Sequence, residues 1–231
     1  MSTTPSSLAA LLQRPDLWRG DALAQAAQEG VSSGFAELDA ALPGRGWPRG
    51  TLTELLPQKM GLGEVSLLVP ALAGLEAEAG WIVLVAPPWL PHAPAWQAVG
   101  LGRLLVVRAD KCEAAWACEQ LLASGALAAL IAWLPQADSP ALRRLQLALE
   151  GRPSLAFVFR PAAAAGHASP AALRLALAAG ERSLAVHILK RRGPPLARPL
   201  SLAVPRPLAW TRLGGYATPA AAAPADIPQP A

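Results

Sequence analysis

The chain has little cysteine and no long apolar stretch. Two of its 231 residues are cysteine, and the longest apolar run, around residues 65–75, is interrupted by a serine and a proline. That run falls short of the roughly 20 residues that a membrane-spanning helix needs. The first residues, M-S-T-T-P-S-S, have neither the basic nor the apolar region of a secretory signal. These absences predict a reduced, cytoplasmic protein that makes no contact with a membrane.

The residues of common metal and hydrolase sites are also scarce. Cys112 and Cys118 are six positions apart on a predicted helix, which places them about 240° apart around its axis. They cannot share a metal ion, and buried cysteines are the expected alternative. The three histidines are widely separated, and no G-x-S-x-G or H-E-x-x-H motif occurs. We therefore predict no metal site and no hydrolase site of these kinds.

What the chain does contain is an alternation of apolar strands and amphipathic helices. The predicted strands cover residues 51–56, 81–86, 104–107, 126–133, 154–159, 183–189 and 200–204. The predicted helices cover residues 35–42, 65–79, 93–99, 111–124, 140–149 and 170–179. This alternation is typical of an α/β fold with three layers, α/β/α, around a mainly parallel sheet. The last two strands have no helix between them, which predicts an antiparallel hairpin at the edge of the sheet.

Three segments follow from these patterns. Residues 1–30 are predicted to form an N-terminal helical appendage, and residues 31–204 the α/β core. Residues 205–231, rich in proline, alanine and arginine, are predicted to be a mobile tail.

A glycine loop follows the first predicted strand, where a P-loop nucleotide site would lie. The loop reads P-Q-K-M-G-L-G-E-V-S over residues 57–66. A P-loop needs a lysine and a hydroxyl directly after its glycines, to hold the phosphates and Mg²⁺. Here Gly61 and Gly63 are followed by Glu64, whose negative charge would face the phosphates, and Lys59 precedes both glycines. The loop is a degenerate P-loop, and it predicts that no nucleotide cofactor is bound.

Two stretches around this loop resemble a known family. V-S-S-G-F-A-E-L-D at residues 31–39 and T-L-T-E-L-L at residues 51–56 resemble the opening of the RecA recombinase core. The runs L-W-R-G at 17–20, L-P-G at 42–44 and G-W-P-R-G at 46–50 are similar to ImuA. ImuA is a bacterial SOS-response family that is linked to translesion DNA synthesis and related to the SulA-type division inhibitors. The resemblance extends over about residues 17–202, and its first third is the specific part.

The resemblance implies a RecA-like fold and a non-catalytic adaptor function. Such an adaptor would bind an ImuB-type polymerase-like protein and RecA, and indirectly an error-prone C-family polymerase. RecA-like ATPases carry a water-orienting acid and a metal-organising aspartate after two of their strands. In this chain Pro87, Pro88 and Trp133 stand at those positions. We therefore expect that the protein is not an enzyme. A SulA-type inhibitor that binds the tubulin-like division protein, and an ATPase with a divergent loop, remain as alternatives.

Positive charge is concentrated in the C-terminal part. Residues 1–150 contain 10 Lys/Arg and 14 Asp/Glu, a net charge of −4, whereas residues 151–231 contain 10 and 2, a net charge of +8. The candidate residues for partner or DNA contact are Lys190, Arg191, Arg192, Arg198, Arg206, Trp210 and Arg212. An acidic protein or nucleic acid would suit them. A solvated arginine-rich surface, or a basic hairpin turn, is the alternative.

Two tryptophans lie near predicted loops. Trp47 and Trp89 are candidates either for interface anchors, since tryptophan is enriched at binding hot spots, or for the hydrophobic core.

Overall fold

Eight strands form one sheet in the part of the chain that the structure, a computed structural model, describes: residues 29–110, 112–180, 183–194, 196 and 198–204. The strands are β1 (Leu52–Pro57), β2 (Trp81–Val85), β3 (Leu104–Val107), β4 (Leu127–Trp133), β5 (Leu155–Phe159), β6 (Leu173–Ala179), β7 (Leu184–Lys190) and β8 (Leu200–Leu202). Their order across the sheet is β3-β2-β4-β5-β1-β6-β7-β8. The pairs are parallel except for those of β7, which is antiparallel to β6 and β8.

Helices cover both faces of this sheet. They are α1 (Ala36–Ala41), α2 (Val69–Gly74), α3 (Ala93–Ala98), α4 (Ala114–Ser124) and α5 (Ser139–Leu149), with short 3₁₀ helices at Leu75–Ala77 and Ala162–Gly166. Helices α1, α2 and α3 pack on one face, and α4 and α5 pack on the other. Strands β1 and β5 are buried along their whole length, as expected for central strands covered on both sides. The predicted α/β/α architecture, the mainly parallel sheet and the antiparallel edge hairpin are confirmed.

The prediction of a helix over residues 170–179 is wrong, because this segment is strand β6. It pairs in parallel with β1 and antiparallel with β7. Leu173, Leu175 and Leu177 point to one face and are buried, while the residues between them face the other side. Alanine and leucine favour a helix locally. Here the pairing with two neighbouring strands and the period-two burial of leucine override that preference.

The helix predicted over residues 65–79 is much shorter than expected. Residues 64–68 form turns, and α2 begins only at Val69. Pro70 explains this start, because it has no backbone N–H and its ring would clash with the carbonyl of Ser66 in a continuous helix. A long loop of turns and bends therefore connects β1 to α2. Throughout the described residues, each helix is too short or too polar to span a bilayer.

Candidate functional site

The carboxyl ends of β1, β2, β4 and β5 meet at one edge of the sheet. Open α/β sheets bind their ligands at this type of edge. In this protein the edge borders a cavity of about 810 Å³, which is lined by Lys59, Pro87, Arg108, Trp133, Phe159 and Arg160 among others. Lys59 is exposed at this cavity. It precedes the glycines in the sequence, whereas the lysine of a P-loop follows them. The start of the glycine loop, the proline pair after β2 and Trp133 at the end of β4 therefore border the same cavity.

The glycine loop at the end of β1 is closed by its own glutamate. One carboxylate oxygen of Glu64 accepts a hydrogen bond from the backbone N–H of Gly61 at 2.9 Å. The other accepts from the N–H of Leu62 at 2.7 Å. Glu64 is only 3% exposed, and Gly61 and Gly63 have the positive φ angles, +85° and +94°, that the tight turn requires. Backbone N–H groups of the kind that bind phosphate in a P-loop are thus bound here by a carboxylate.

Proline and tryptophan occupy the two positions at which RecA-like ATPases carry acidic residues. Pro87 and Pro88 follow β2, and Trp133 ends β4 with its ring stacked on Phe159, at a centroid distance of 5.1 Å and an angle of 19°. Asp138, the first carboxylate after β4, caps α5, since its Oδ1 accepts from the N–H of Ala141 at 2.8 Å. This aspartate is committed to the start of a helix. Within the described residues, no group of three or more His, Cys, Asp or Glu side chains could hold a metal ion.

A buried ion triplet at the centre of the sheet was not predicted from the sequence. Glu54, on β1, is 0% exposed, and its two carboxylate oxygens accept from Arg160 Nη1 and Arg174 Nε, both at 2.5 Å. Further arginine N–H groups donate to the carbonyls of Ala137 and Ala164, both at 2.7 Å. A glutamate inside a largely apolar strand was the one sequence signal for this feature. The triplet joins β1 to β6 and to the end of β5.

Of the predicted basic residues that the structure describes, Lys190 and Arg191 donate hydrogen bonds to backbone carbonyls. Lys190 Nζ donates to the carbonyl of Ser169 at 2.9 Å. Arg191 donates to the carbonyl of Pro194 at 2.8 Å and to that of Ala41, so it links the end of β7 to α1. The exposed Arg192 and Arg198 are open to solvent. The remaining candidates, Arg206, Trp210 and Arg212, lie outside the described residues.

The two candidate tryptophans have different environments. Trp47 is completely buried and packs edge-on against Phe157, with ring centroids 5.1 Å apart. It belongs to the hydrophobic core, so the interface interpretation is wrong for this residue. Trp89 is 66% exposed and lies next to the exposed Leu90. Its position is compatible with an interface anchor.

The two cysteines also differ from each other. Cys118 lies on the buried face of α4. The loss of solvation raises the pKa of its thiol to about 12. Cys112 is exposed, so the prediction that both cysteines are buried is wrong for this one. It lies just before the first residue of α4 and does not belong to the hydrophobic core on which that helix packs.

We expect iodoacetamide at pH 8 to modify Cys112 and to spare Cys118 in the folded protein. The thiolate is the reactive form, and burial keeps Cys118 protonated until the pH approaches its raised pKa of about 12. Peptide mass spectrometry after short labelling measures both sites. Labelling in urea is the control and should modify both equally. Equal labelling of the two cysteines in the native protein would contradict the burial of Cys118.

The chain is similar to solved structures, among them a structure of SulA. No model of a known protein family matches the chain, and no curated protein matches it. The crystal structure of SulA from Pseudomonas aeruginosa is 28% identical to this chain, over 46% of this chain and 97% of the SulA chain, with a TM-score of 0.38. The aligned part is less than half of the present protein.

Proposed function

We propose that this protein is a non-catalytic, RecA-like adaptor in damage-induced translesion DNA synthesis. It would bind an ImuB-type polymerase-like protein and RecA, and act indirectly on an error-prone C-family polymerase. The observation that carries the proposal is the Glu64 carboxylate, which is bound to the backbone N–H groups of Gly61 and Leu62. The RecA-like and ImuA-like runs within residues 17–56 support the adaptor role.

The loop geometry supports docking rather than hydrolysis for an electrostatic reason. A triphosphate could reach these N–H groups only after the buried Glu64 had been displaced from them. A carboxylate left beside the phosphates would repel them, and no lysine or hydroxyl follows it at the P-loop positions. The proline pair after β2 and the helix-capping role of Asp138 add to this reasoning. A body of this kind offers partner surfaces without nucleotide-driven steps.

The catalytic part of the proposal is tested by nucleotide titration. We expect no heat of binding when ATP with Mg²⁺ is added to the full chain up to about 1 mM, the upper end of typical KM values, and no release of phosphate. Micromolar affinity with turnover would contradict the proposal and favour an ATPase with a divergent loop. Binding of single-stranded DNA alone would not contradict it, because a basic segment can supply that binding with a steep dependence on salt.

The adaptor part is tested by co-expression with an ImuB-type protein from the same genome. We expect the two proteins to elute together in size-exclusion chromatography. Separate elution, combined with cell filamentation on expression and direct inhibition of division-protein assembly, would replace this proposal with the SulA-type alternative.

A further inference from the structure

A second cavity lies at the amino edge of the sheet, opposite the glycine loop. Its volume is about 800 Å³, and it is bordered by the segments that lead into β1, β5 and β6 and by the residues that follow β7. Four arginines line it: Arg49, Arg152, Arg191 and Arg192. Among the described lining residues, Glu29 is the one carboxylate. We call this feature the arginine cavity.

Two of these arginines are held in place by neutral groups. Arg152 donates to the carbonyl of Ala148 at 3.0 Å and to that of Ala123 at 2.7 Å. Arg191 donates to the carbonyls of Pro194 and Ala41. Backbone carbonyls fix the position of a guanidinium group without neutralising its charge. The arginine cavity therefore presents fixed positive charge, and a ligand does not have to order these two side chains on binding.

The charge of the other two arginines differs. Arg49 forms two bonds to Glu78, at 2.5 and 3.0 Å, so its charge is compensated within the fold. Arg192 is exposed and has no hydrogen bond or ion pair to any described residue. Thr51 contributes a buried hydroxyl, Oγ1, that also lacks a partner among these residues. Among the described lining residues, the charges of Arg152, Arg191 and Arg192 are opposed by the one carboxylate of Glu29, which leaves an excess of positive charge for an anionic ligand.

The walls between the arginines indicate what kind of anion fits. They are formed by Leu42, Pro43, Pro48, Pro153 and Leu173. Aromatic side chains, on which proteins stack exposed nucleic-acid bases, do not occur among the described lining residues. Arginine forks match carboxylates, and leucine and proline walls match aliphatic side chains. The chemistry therefore favours a peptide with alternating acidic and aliphatic residues over a nucleic acid.

We propose that the arginine cavity is the docking site for an acidic, leucine-containing peptide segment of a partner protein. That a partner protein exists rests on the adaptor function proposed above. Its peptide would bind at the amino edge of the sheet. Arg192 is the residue that gains a new carboxylate partner, and Arg152 and Arg191 supply preorganised charge. Lys190 and Arg198, which do not line the cavity, are outside this site.

The test uses the full chain and a short fluorescein-labelled peptide of alternating glutamate and leucine. Fluorescence anisotropy is expected to show that Arg192→Glu weakens the peptide's affinity by about tenfold or more, because it replaces a cation that has no partner among the described residues with a repelling charge. Arg198→Glu is the matched control, since it reverses an exposed charge of the same basic segment outside the cavity. It should change the affinity by less than about twofold at physiological salt, because a solvent-exposed charge that does not contact the ligand is largely screened.

Three results would overturn the inference. One is an equal loss of affinity for both variants, which would indicate only a diffuse positive surface. Another is that the peptide fails to bind the unmodified protein. The third is that a labelled single-stranded oligonucleotide binds and is lost on Arg192→Glu while the peptide is not, which would make the cavity a nucleic-acid site. The peptide measurement needs no ImuB-type protein, so this inference and the adaptor proposal can fail separately.

Discussion

Replacing Glu54 by alanine is expected to lower the free energy of unfolding by about 3–5 kcal/mol. Glu54 is fully buried, and it is the carboxylate that both Arg160 and Arg174 contact at 2.5 Å. Its removal leaves two guanidinium groups buried without a counter-charge, and desolvated charge of this kind is strongly unfavourable. Urea denaturation followed by circular dichroism measures the change. Partial folding of the variant would appear as a loss of the cooperative transition.

Two further variants make this result specific. Glu119→Ala breaks the surface ion pair with Arg144, in which Arg144 Nε lies 3.2 Å from Glu119 Oε2. The side chain of Glu119 is 34% exposed and that of Arg144 is 56% exposed. The substitution should cost less than about 1 kcal/mol. Replacing the whole triplet, with Glu54→Leu, Arg160→Met and Arg174→Met, should recover most of the lost stability, because no buried charge then remains at this place in the sheet. A cost for Glu54→Ala no larger than that of Glu119→Ala would contradict the role of the triplet.

The second large effect is expected at the glycine loop. In the variant Glu64→Ala, the amide hydrogens of Gly61 and Leu62 should exchange with solvent about tenfold faster or more. Both N–H groups donate to the Glu64 carboxylate in the native loop, and bonds to a charged group contribute about 1.5–3 kcal/mol each. A loop whose N–H groups have lost their hydrogen-bond acceptors opens locally, at a lower free energy than the rest of the fold. Hydrogen exchange resolved by NMR measures the two amides directly.

Glu37→Ala provides the matched control for the loop. Glu37 is an exposed glutamate at the start of α1, so its removal should leave the exchange of Gly61 and Leu62 unchanged. We also expect that Glu64→Ala does not create ATP binding, since the variant still has no Lys-Ser/Thr pair directly after its glycines. Unchanged exchange in Glu64→Ala would show that the carboxylate does not hold the loop in solution.

The sequence predicts most of the sheet because its central strands are short apolar runs between turns. Runs such as W-I-V-L-V and L-A-F-V-F have no helical periodicity, and they appear as β2 and β5. Strand β6 is the exception. Its residues L-R-L-A-L-A-A are good helix formers, and their period-two pattern is visible only if the small alanines are counted with Arg174 as one face. The partners that decide the matter, β1 and β7, lie elsewhere in the chain.

The candidate site was predictable in what it lacks and not in what replaces it. The missing lysine and hydroxyl are read directly from residues 57–66. That Glu64 turns back to bind the loop's own N–H groups depends on a local turn geometry that composition does not specify. The ion triplet could not be predicted, since Glu54 is separated from Arg160 and Arg174 by 106 and 120 residues. Arg191 was predicted as a surface contact, whereas its bond to Ala41 bridges 150 residues.

The place of β1 in the sheet has a consequence for the synthesis of the protein. Strand β1 lies between β5 and β6, and Leu52 pairs with Ala156. About 100 residues must therefore leave the ribosome before the first neighbour of β1 is available, which takes roughly 5–20 s at typical rates of translation. During that interval a largely apolar strand has both of its edges open, and such edges can pair with other chains. Premature termination before β6 would leave an aggregation-prone fragment rather than a smaller folded domain.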